Sequence, residues 1–405
     1  MSEGRVFRVP GSAGAPTEEK NLPRRSEAAP PPDSWRGIEE NSPVSARVLL
    51  REMVETPSLS GDEGRLAAYL VGRAREMGLS AGIDGAGNFV AATSGEPLRT
   101  AEGVKDIVLL GHMDVVPGVV EVRQVGDLLY GRGTVDAKGP LATFLVVAAA
   151  VREQLPAGVR VVVIGAVEEE IATSKGVRAV VSRYTPEACV IGEPSRWDSV
   201  TIGYKGRLVV RYAVERSMSH TAGPALSAAD SFHRWWQDVL DFVLATNAGR
   251  VGPFQQVQAT IRGMTTVSDG LVERCEGVVA FRLPSDVHPE AVEERCRRHC
   301  GEAVLEFSGA EEAIVASRTS ALARALTMGI RAQGGRPGFV LKTGTSDMNV
   351  VGATKTGWKC PVVAYGPGDS SLDHTPDEHI DLGEFEKAIE VLRGAIVGFA
   401  GAIVG

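Results

Sequence analysis

Residues 159–167 form a nearly continuous apolar run that ends in three adjacent carboxylates, Glu168, Glu169 and Glu170. Such a run predicts a strand that is buried on both faces, as in a parallel sheet covered by helices on both sides. Adjacent carboxylates usually belong to a solvated surface loop. At the end of a buried strand, however, their mutual repulsion must be offset by a cation. The run therefore predicts a covered sheet with a candidate metal site at its edge.

Strands and helices alternate over residues 45–203, which predicts a largely parallel sheet. The apolar residues 107–110 lead to His112, and residues 188–192 lead to Glu193. Ligand sites of such sheets lie at the carboxyl ends of the strands. We therefore expect His112 and Glu193 to lie beside the three carboxylates.

Two neighbouring carboxylates have ordinary interpretations as well. Asp114 follows His112 by two residues, a spacing that lets a carboxylate hold the free nitrogen of a metal-binding imidazole. The same spacing is also common in loops that bind nothing. Asp136 precedes an apolar helix predicted over residues 141–155, where a helix cap is the default explanation.

Near Gly203 the pattern changes, and residues 204–311 follow a strand-helix-strand-strand-helix-strand order. This order predicts a ferredoxin-like α+β domain inserted into a first domain made of residues 41–203 and 312–405. The predicted fold class is α/β, with a mixed, mainly parallel sheet and helices on both of its faces. Residues 1–40 are rich in Pro, Ala and charged residues and are predicted to be a disordered tail.

Composition excludes several classes of function. The formal net charge of −8 argues against nucleic acid or an anionic membrane as the main partner. No apolar run approaches the roughly 18 residues of a membrane-spanning helix. The five cysteines are odd in number and show no disulfide framework, so a reducing cytoplasm is the expected location.

Five short motifs follow one another along the chain: Gly111-His112-Met113-Asp114, the segment 131–139, Glu168-Glu169-Glu170, Gly192-Glu193-Pro194 and His374-Thr375-Pro376-Asp377-Glu378. Each motif is weak alone, whereas all five in order are highly specific. In this order they resemble the M20 peptidase family of co-catalytic zinc amidohydrolases, and the resemblance covers about residues 43–400. The resemblance implies a hydrolase of linear amides whose inserted domain is a lid and dimerisation domain.

The resemblance also implies two divalent ions, Zn²⁺ or Co²⁺. Asp136 would bridge them, His112 and Glu193 would complete one site, and Glu170 and His374 would complete the other. Histidine and carboxylate ligands suit such hard-to-borderline ions.

Two residues would assist the metals. Asp114 would orient His112, and Glu169 would be the general base when a hydroxide shared by the two ions attacks the amide. The usual Asp-Glu-Glu of the family is Glu-Glu-Glu here. A shift by one residue, with Glu168 as the base and Glu169 as the ligand, therefore stays open.

The resemblance further implies that His220 of the inserted domain reaches the site of a neighbouring subunit, which predicts a homodimer. Arg282 is similar to the family's arginine that meets a substrate carboxylate, although a salt bridge at a strand end would explain it equally well. Gly344, Thr345 and Ser346 lie in a turn-rich loop, residues 342–349, and would line the substrate pocket. A plain turn remains the alternative for this loop.

Within the family, residues 135–142, 167–176 and 342–349 are most similar to the hydrolases that release lysine or ornithine from the amino-group carrier protein LysW. The implied partner is an acidic carrier whose C-terminal glutamate side chain holds the amino acid, at the last step of lysine or arginine biosynthesis. A basic patch near the pocket would favour this partner. The candidates for it are Lys138, Lys175, Arg178, Lys205, Arg207 and Lys342.

Two other functions remain to be weighed. A deacylase of a free small substrate, such as acetylornithine or succinyl-diaminopimelate, would use the same site. A non-catalytic binding protein of the same fold would lack a ligand or the base, whereas every expected position is filled.

Overall fold

The computed structural model describes residues 45–220 and 223–404. The tail predicted for residues 1–40 lies outside these ranges. In the part of the chain that is described, no helix is both long and apolar enough to cross a membrane. All five cysteines are free thiols.

The first part of the chain contains four helices and eight strands among the elements named here. Its elements are α1 (Ala46–Glu55), α2 (Gly64–Glu76), β1 (Ser80–Ile83), β2 (Phe89–Ala92), β3 (Lys105–His112), β4 (Arg123–Val125), β5 (Leu128–Tyr130), α3 (Lys138–Val151), β6 (Val159–Ala166), α4 (Lys175–Val181), β7 (Ala188–Ile191) and β8 (Ser199–Tyr204).

The middle and last parts follow in the same way. The middle part contains β9 (Gly206–Ser217), α5 (Ala228–Asn247), β10 (Gln258–Ser268), β11 (Val272–Leu283), α6 (Pro289–Arg298) and β12 (Val304–Glu311). The last part contains β13 (Ile314–Val315), α7 (Ala321–Ala332), β14 (Gly338–Lys342), α8 (Asp347–Val351), β15 (Val362–Ala364), β16 (His379–Asp381) and α9 (Leu382–Ala402).

The large sheet has the strand order β1-β2-β6-β3-β7-β15-β8-β13, and β14 pairs with β8. Its inner strands β6, β3, β7 and β15 are mutually parallel. β6 is buried along its whole length, as the apolar run predicts. Helices α4 and α8 pack on one face through Val177, Val180 and Met348, and α3 contacts β3 and β6. The predicted mixed, mainly parallel sheet with its helices is confirmed.

The smaller sheet is antiparallel and has the order β10-β11-β9-β12. Helices α5 and α6 cover one face, where Phe232, Trp235 and Val292 join alternate residues of β9 and β11 in an apolar cluster. The elements follow the order that the sequence predicts for residues 204–311. The role of this region as a lid and dimerisation domain stays a prediction.

One local prediction is incomplete, because residues 347–349 of the predicted loop belong to the short helix α8, which continues to residue 351. The Ser346 hydroxyl accepts from the backbone N–H of Met348, and the Asn349 side chain accepts from the N–H of Ser346. This reciprocal capping favours one helical turn. The same polar residues are equally typical of a turn, which is why the sequence did not distinguish the two.

At the end of the sheet remote from the predicted site, β3 and β6 are joined by a buried ion pair. Arg160 Nε lies 2.6 Å from Asp106 Oδ1, and both side chains are almost fully buried. Arg160 also donates to the backbone carbonyls of Glu96 and Arg99. This arginine therefore ties the loop before β3 to the sheet.

We expect Arg160→Met to lower the free energy of unfolding by about 3–5 kcal/mol, because Asp106 would remain as a buried charge without its partner. Urea denaturation measures the loss. The matched control is Arg274→Met, which breaks the exposed pair of Arg274 with Glu215 and should cost less than about 1 kcal/mol. Equal losses in the two variants would contradict this account.

Candidate metal centre and active site

The structure brings together all five residues that the sequence predicts as metal ligands. His112 is the last residue of β3, Glu170 follows β6, and Glu193 follows β7. Because these strands are parallel neighbours, their carboxyl ends meet at one edge of the sheet. Asp136 lies in the turn before α3, and His374 lies in the segment between β15 and β16.

Asp136 belongs to two groups of closely spaced donor atoms. The first group is Asp136 with His112 and Glu193, and the second is Asp136 with Glu170 and His374; within each, the donor atoms lie within 4.8 Å of one another. Asp136 Oδ1 lies 3.0 Å from His112 Nε2, and Oδ2 lies 3.1 Å from His374 Nε2. His374 Nε2 is also 3.0 Å from Glu170 Oε1. One carboxylate therefore faces both groups.

The electrostatics of this edge are strongly perturbed. Burial raises the pKa of Glu193 to about 8, and the charge of Asp136 adds to this increase. Burial also raises the pKa of Glu170, with Asp136 again contributing. For Asp136 burial acts in the same direction, but hydrogen bonds with His112 and His374 hold its pKa below the ordinary value. Crowded carboxylates beside imidazole nitrogens fit a pair of divalent cations.

Asp114 contacts the adjacent glutamates as well as His112. His112 Nδ1 lies 2.9 Å from the backbone carbonyl of Asp114, and 3.5 Å from the Asp114 carboxylate. That carboxylate accepts from the Ser60 hydroxyl at 2.7 Å and from the backbone N–H groups of Glu169 and Glu170 at 3.0 Å. Asp114 therefore positions both glutamates as well as the imidazole.

The three adjacent glutamates differ in the contacts that their side chains make. Glu168 has a positive φ of 58°, and its carboxylate contacts Thr173 and Lys175. Glu170 instead faces His374. Glu170 therefore belongs to a group of candidate metal ligands, whereas Glu168 belongs to neither group among the described residues. The role of Glu169 as the base stays a prediction.

Sequence reasoning missed Glu378, whose side chain is fully buried. Its Oε1 accepts from three backbone N–H groups of the turn that carries Asp136, residues 133–136, at 2.9–3.2 Å. Its Oε2 accepts from Arg132 at 2.7 Å. Glu378 therefore fixes the turn of Asp136 to the segment that carries His374. The one available signal was its place at the end of the fifth motif.

Sequence reasoning also missed Asp373, and it expected Asp347 only as a residue of the loop that lines the substrate pocket. Among the buried side chains of the described residues, Asp347 Oδ1 and Asp373 Oδ1 have no hydrogen-bond partner. Burial raises the pKa of Asp373 to about 9, with Asp136 adding to it, and raises that of Asp347 to about 7. Both carboxyl groups are available to a ligand at this edge of the sheet.

Arg282 and the loop of Gly344, Thr345 and Ser346 lie together. Arg282 Nη1 donates to the Thr345 hydroxyl at 2.5 Å, and Thr345 in turn donates to the backbone carbonyl of Lys205. The carbonyl of Gly344 accepts from the N–H of Lys205. Arg282 forms no salt bridge within the described residues. The structure therefore does not support the alternative of an ion pair at the strand end.

His220 lies apart from the other predicted site residues. It is exposed and follows β9, a strand of 12 residues. At roughly 3.3 Å per residue, the two ends of β9 are about 35 Å apart. The start of β9 adjoins Lys205 and the Thr345 loop, so His220 lies at the distant end. A contribution of His220 to a neighbouring subunit stays a prediction.

The sequence is similar to known proteins along most of its length. Residues 108–397 match the family model described as peptidase family M20/M25/M40. A LysW-lysine hydrolase of Deinococcus radiodurans is 43% identical over 88% of this chain and 98% of its own length. A relative from Thermococcus kodakarensis is 36% identical over 87% of this chain and 92% of its own length, and its name proposes LysW-lysine/LysW-ornithine hydrolysis.

Solved structures show the same fold at low identity. An M20 family metallo-carboxypeptidase from Sulfolobus solfataricus superposes with a TM-score of 0.71 at 18% identity, over 88% of this chain and 99% of the other. A dinuclear metal-binding M20 peptidase from Bacillus subtilis superposes with a TM-score of 0.62 at 13% identity, over 87% and 96%. At these identities the likeness concerns the fold alone.

We expect Glu170→Gln to reduce the tightly bound metal from about two ions per chain to about one, because the variant loses the carboxylate that faces His374. Metal content after loading and gel filtration, measured by mass spectrometry, gives the number of ions. Glu168→Gln is the matched control and should keep both ions. Full retention by Glu170→Gln, or an equal loss in the control, would refute the assignment.

Proposed function

The chain belongs to the peptidase family M20/M25/M40, and from this premise we propose that it releases lysine or ornithine from the LysW carrier protein. The bond cut would be the amide between the amino acid and the side chain of the carrier's C-terminal glutamate. The observation that carries the proposal is the 43% identity with a LysW-lysine hydrolase along 88% of this chain. The candidate metal ligands meet at one site, which supports an amide hydrolase rather than a non-catalytic binding protein of the same fold.

Proteins of this family depend on metal, and the donor set of this chain suits zinc or cobalt. Two such ions would lower the pKa of a shared water and polarise the amide carbonyl. Asp136 would bind both ions, His112 and Glu193 the first, and Glu170 and His374 the second. Asp114 would hold the backbone of the glutamates in place through its two accepted N–H bonds.

Glu169 is the proposed general base. Burial raises its pKa well above the ordinary value, and the carboxylates of Glu193 and Asp347 add to this, while His112 opposes it. A carboxylate of raised basicity can take the proton from the attacking water and pass it to the departing amine. Arg282, held by Thr345, would bind a carboxylate of the substrate.

His220 is proposed to complete the site of a second subunit, where it would donate to the oxyanion of the tetrahedral intermediate. Its position at the distant end of β9 supports this proposal. From there His220 cannot contact the site of its own subunit, which adjoins the start of β9. The proposed assembly is therefore a homodimer. The free cysteines fit the cytoplasm as its compartment.

A comparison of substrates tests the proposal. The zinc- or cobalt-loaded enzyme should cleave carrier-linked lysine or ornithine with a kcat/KM at least about 100-fold above that for acetylornithine, since the free substrate lacks every carrier contact. Rapid turnover of acetylornithine without any cleavage of the carrier-linked substrates would instead identify a deacylase.

We expect Glu169→Gln to lower kcat by about 10²–10⁴-fold, because the amide cannot accept the proton of the attacking water. Single-turnover kinetics with the carrier-linked substrate measure the loss, and metal analysis should show that both ions remain. The isosteric variant Glu168→Gln serves as the control and should stay near the wild-type rate. The reverse pattern would assign the base to Glu168.

A further inference from the structure

Three guanidinium groups gather on the smaller sheet beside the candidate active site. Arg207 of β9 and Arg282 of β11 are direct partners across the antiparallel ladder, so their side chains leave the same face of the sheet. Arg262 lies on the neighbouring strand β10, at the irregularity between Ile261 and Gly263. The arginines lie on the face of the sheet that α5 and α6 do not cover. Leu208 and every second residue after it on β9 pack against these helices on the opposite face.

None of the three arginines forms an ion pair with a carboxylate in the described residues. Glu311, which is opposite Arg207 on β12, instead binds Arg178. Arg207 Nε donates to the carbonyl of Gly309 at 3.1 Å, and that contact leaves its charge uncompensated. Like charges directly opposite one another across a ladder are destabilising. The arrangement therefore favours a bound anion.

The arginines act on one another and on the active site. Burial, and then the charges of Arg207 and Arg262, lower the pKa of Arg282, whereas Glu169 acts in the opposite direction. Glu169 is therefore close enough to Arg282 to act on its charge. Lys205 takes no part, since its ammonium group is buried and donates to the carbonyl of Pro253 and to the side chain of Gln258.

We propose that Arg207 and Arg262 form a second carboxylate site next to Arg282, and that this site binds the free α-carboxylate of the glutamate from which the amino acid is released. The inference rests on the proposed function and makes its substrate more specific. A γ-linked glutamyl substrate has two carboxylates, one on each side of the amide to be cut. The resemblance already implies that Arg282 binds one of them, and the planar forks of Arg207 and Arg262 suit the other.

Two matched peptides test this site. Both carry the carrier's C-terminal glutamate with lysine on its side chain, but one has a free α-carboxylate and the other an α-carboxamide. The wild-type enzyme should prefer the free carboxylate by about 10–100-fold in kcat/KM, the range of a charge-assisted contact. In Arg207→Gln and Arg262→Gln this preference should fall toward one, and Arg207→Lys should retain only part of it, because an ammonium group keeps the charge but lacks the planar fork.

Arg211→Gln is the matched control. Arg211 is on the same strand and the same face as Arg207, four residues further along, where it faces Glu306. This variant should keep the wild-type preference.

The outcomes separate the two proposals. Equal cleavage of both peptides by the wild-type enzyme, or an unchanged preference in Arg207→Gln and Arg262→Gln, would overturn the second carboxylate site and leave the proposed function in place. If the wild-type enzyme cleaves neither peptide but cleaves acetylornithine, the proposed function fails and the site fails with it.

Discussion

The carboxylate of Asp136, shared between the imidazoles of His112 and His374, is the contact on which the rest of the site depends. It is the one group common to both sets of donor atoms. Its position requires that two distant parts of the chain meet, the end of β3 and the segment after β15. Glu378 ties the turn of Asp136 to the second of these parts, because it accepts three N–H bonds from that turn and lies four residues beyond His374.

The large sheet explains why so much negative charge collects at one edge. Parallel neighbours end together, so residues that follow β6 and β7 are forced into proximity whatever their charge. Asp114 adds a further carboxylate, yet its two accepted N–H bonds stabilise the strand end that carries Glu169 and Glu170. At the opposite end of β3 and β6, the charge of Asp106 is matched by Arg160 within the chain. At the site the acidic groups outnumber the cations of the chain, and divalent ions are the natural complement.

The sequence predicts the sheet and its five candidate ligands because each ligand follows an apolar strand or belongs to an ordered motif. It does not predict the role of Glu378, since hydrogen bonds to backbone N–H groups impose no pattern on the residues that donate them. The side chains of Glu168 and Glu170 have different partners because the backbone turns at Glu168, where φ is positive. A run of three identical residues gives no sign of where such a turn occurs. The pairing of Arg207 with Arg282 joins strands far apart in the chain, so it too emerges only from the fold.

Anomalous X-ray scattering from crystals of the zinc-loaded enzyme tests the shared role of Asp136 most directly. The account predicts two zinc positions about 3.5–4 Å apart, with the Asp136 carboxylate between them, His112 on one and His374 on the other. A single zinc position, or two positions that Asp136 does not join, would contradict it.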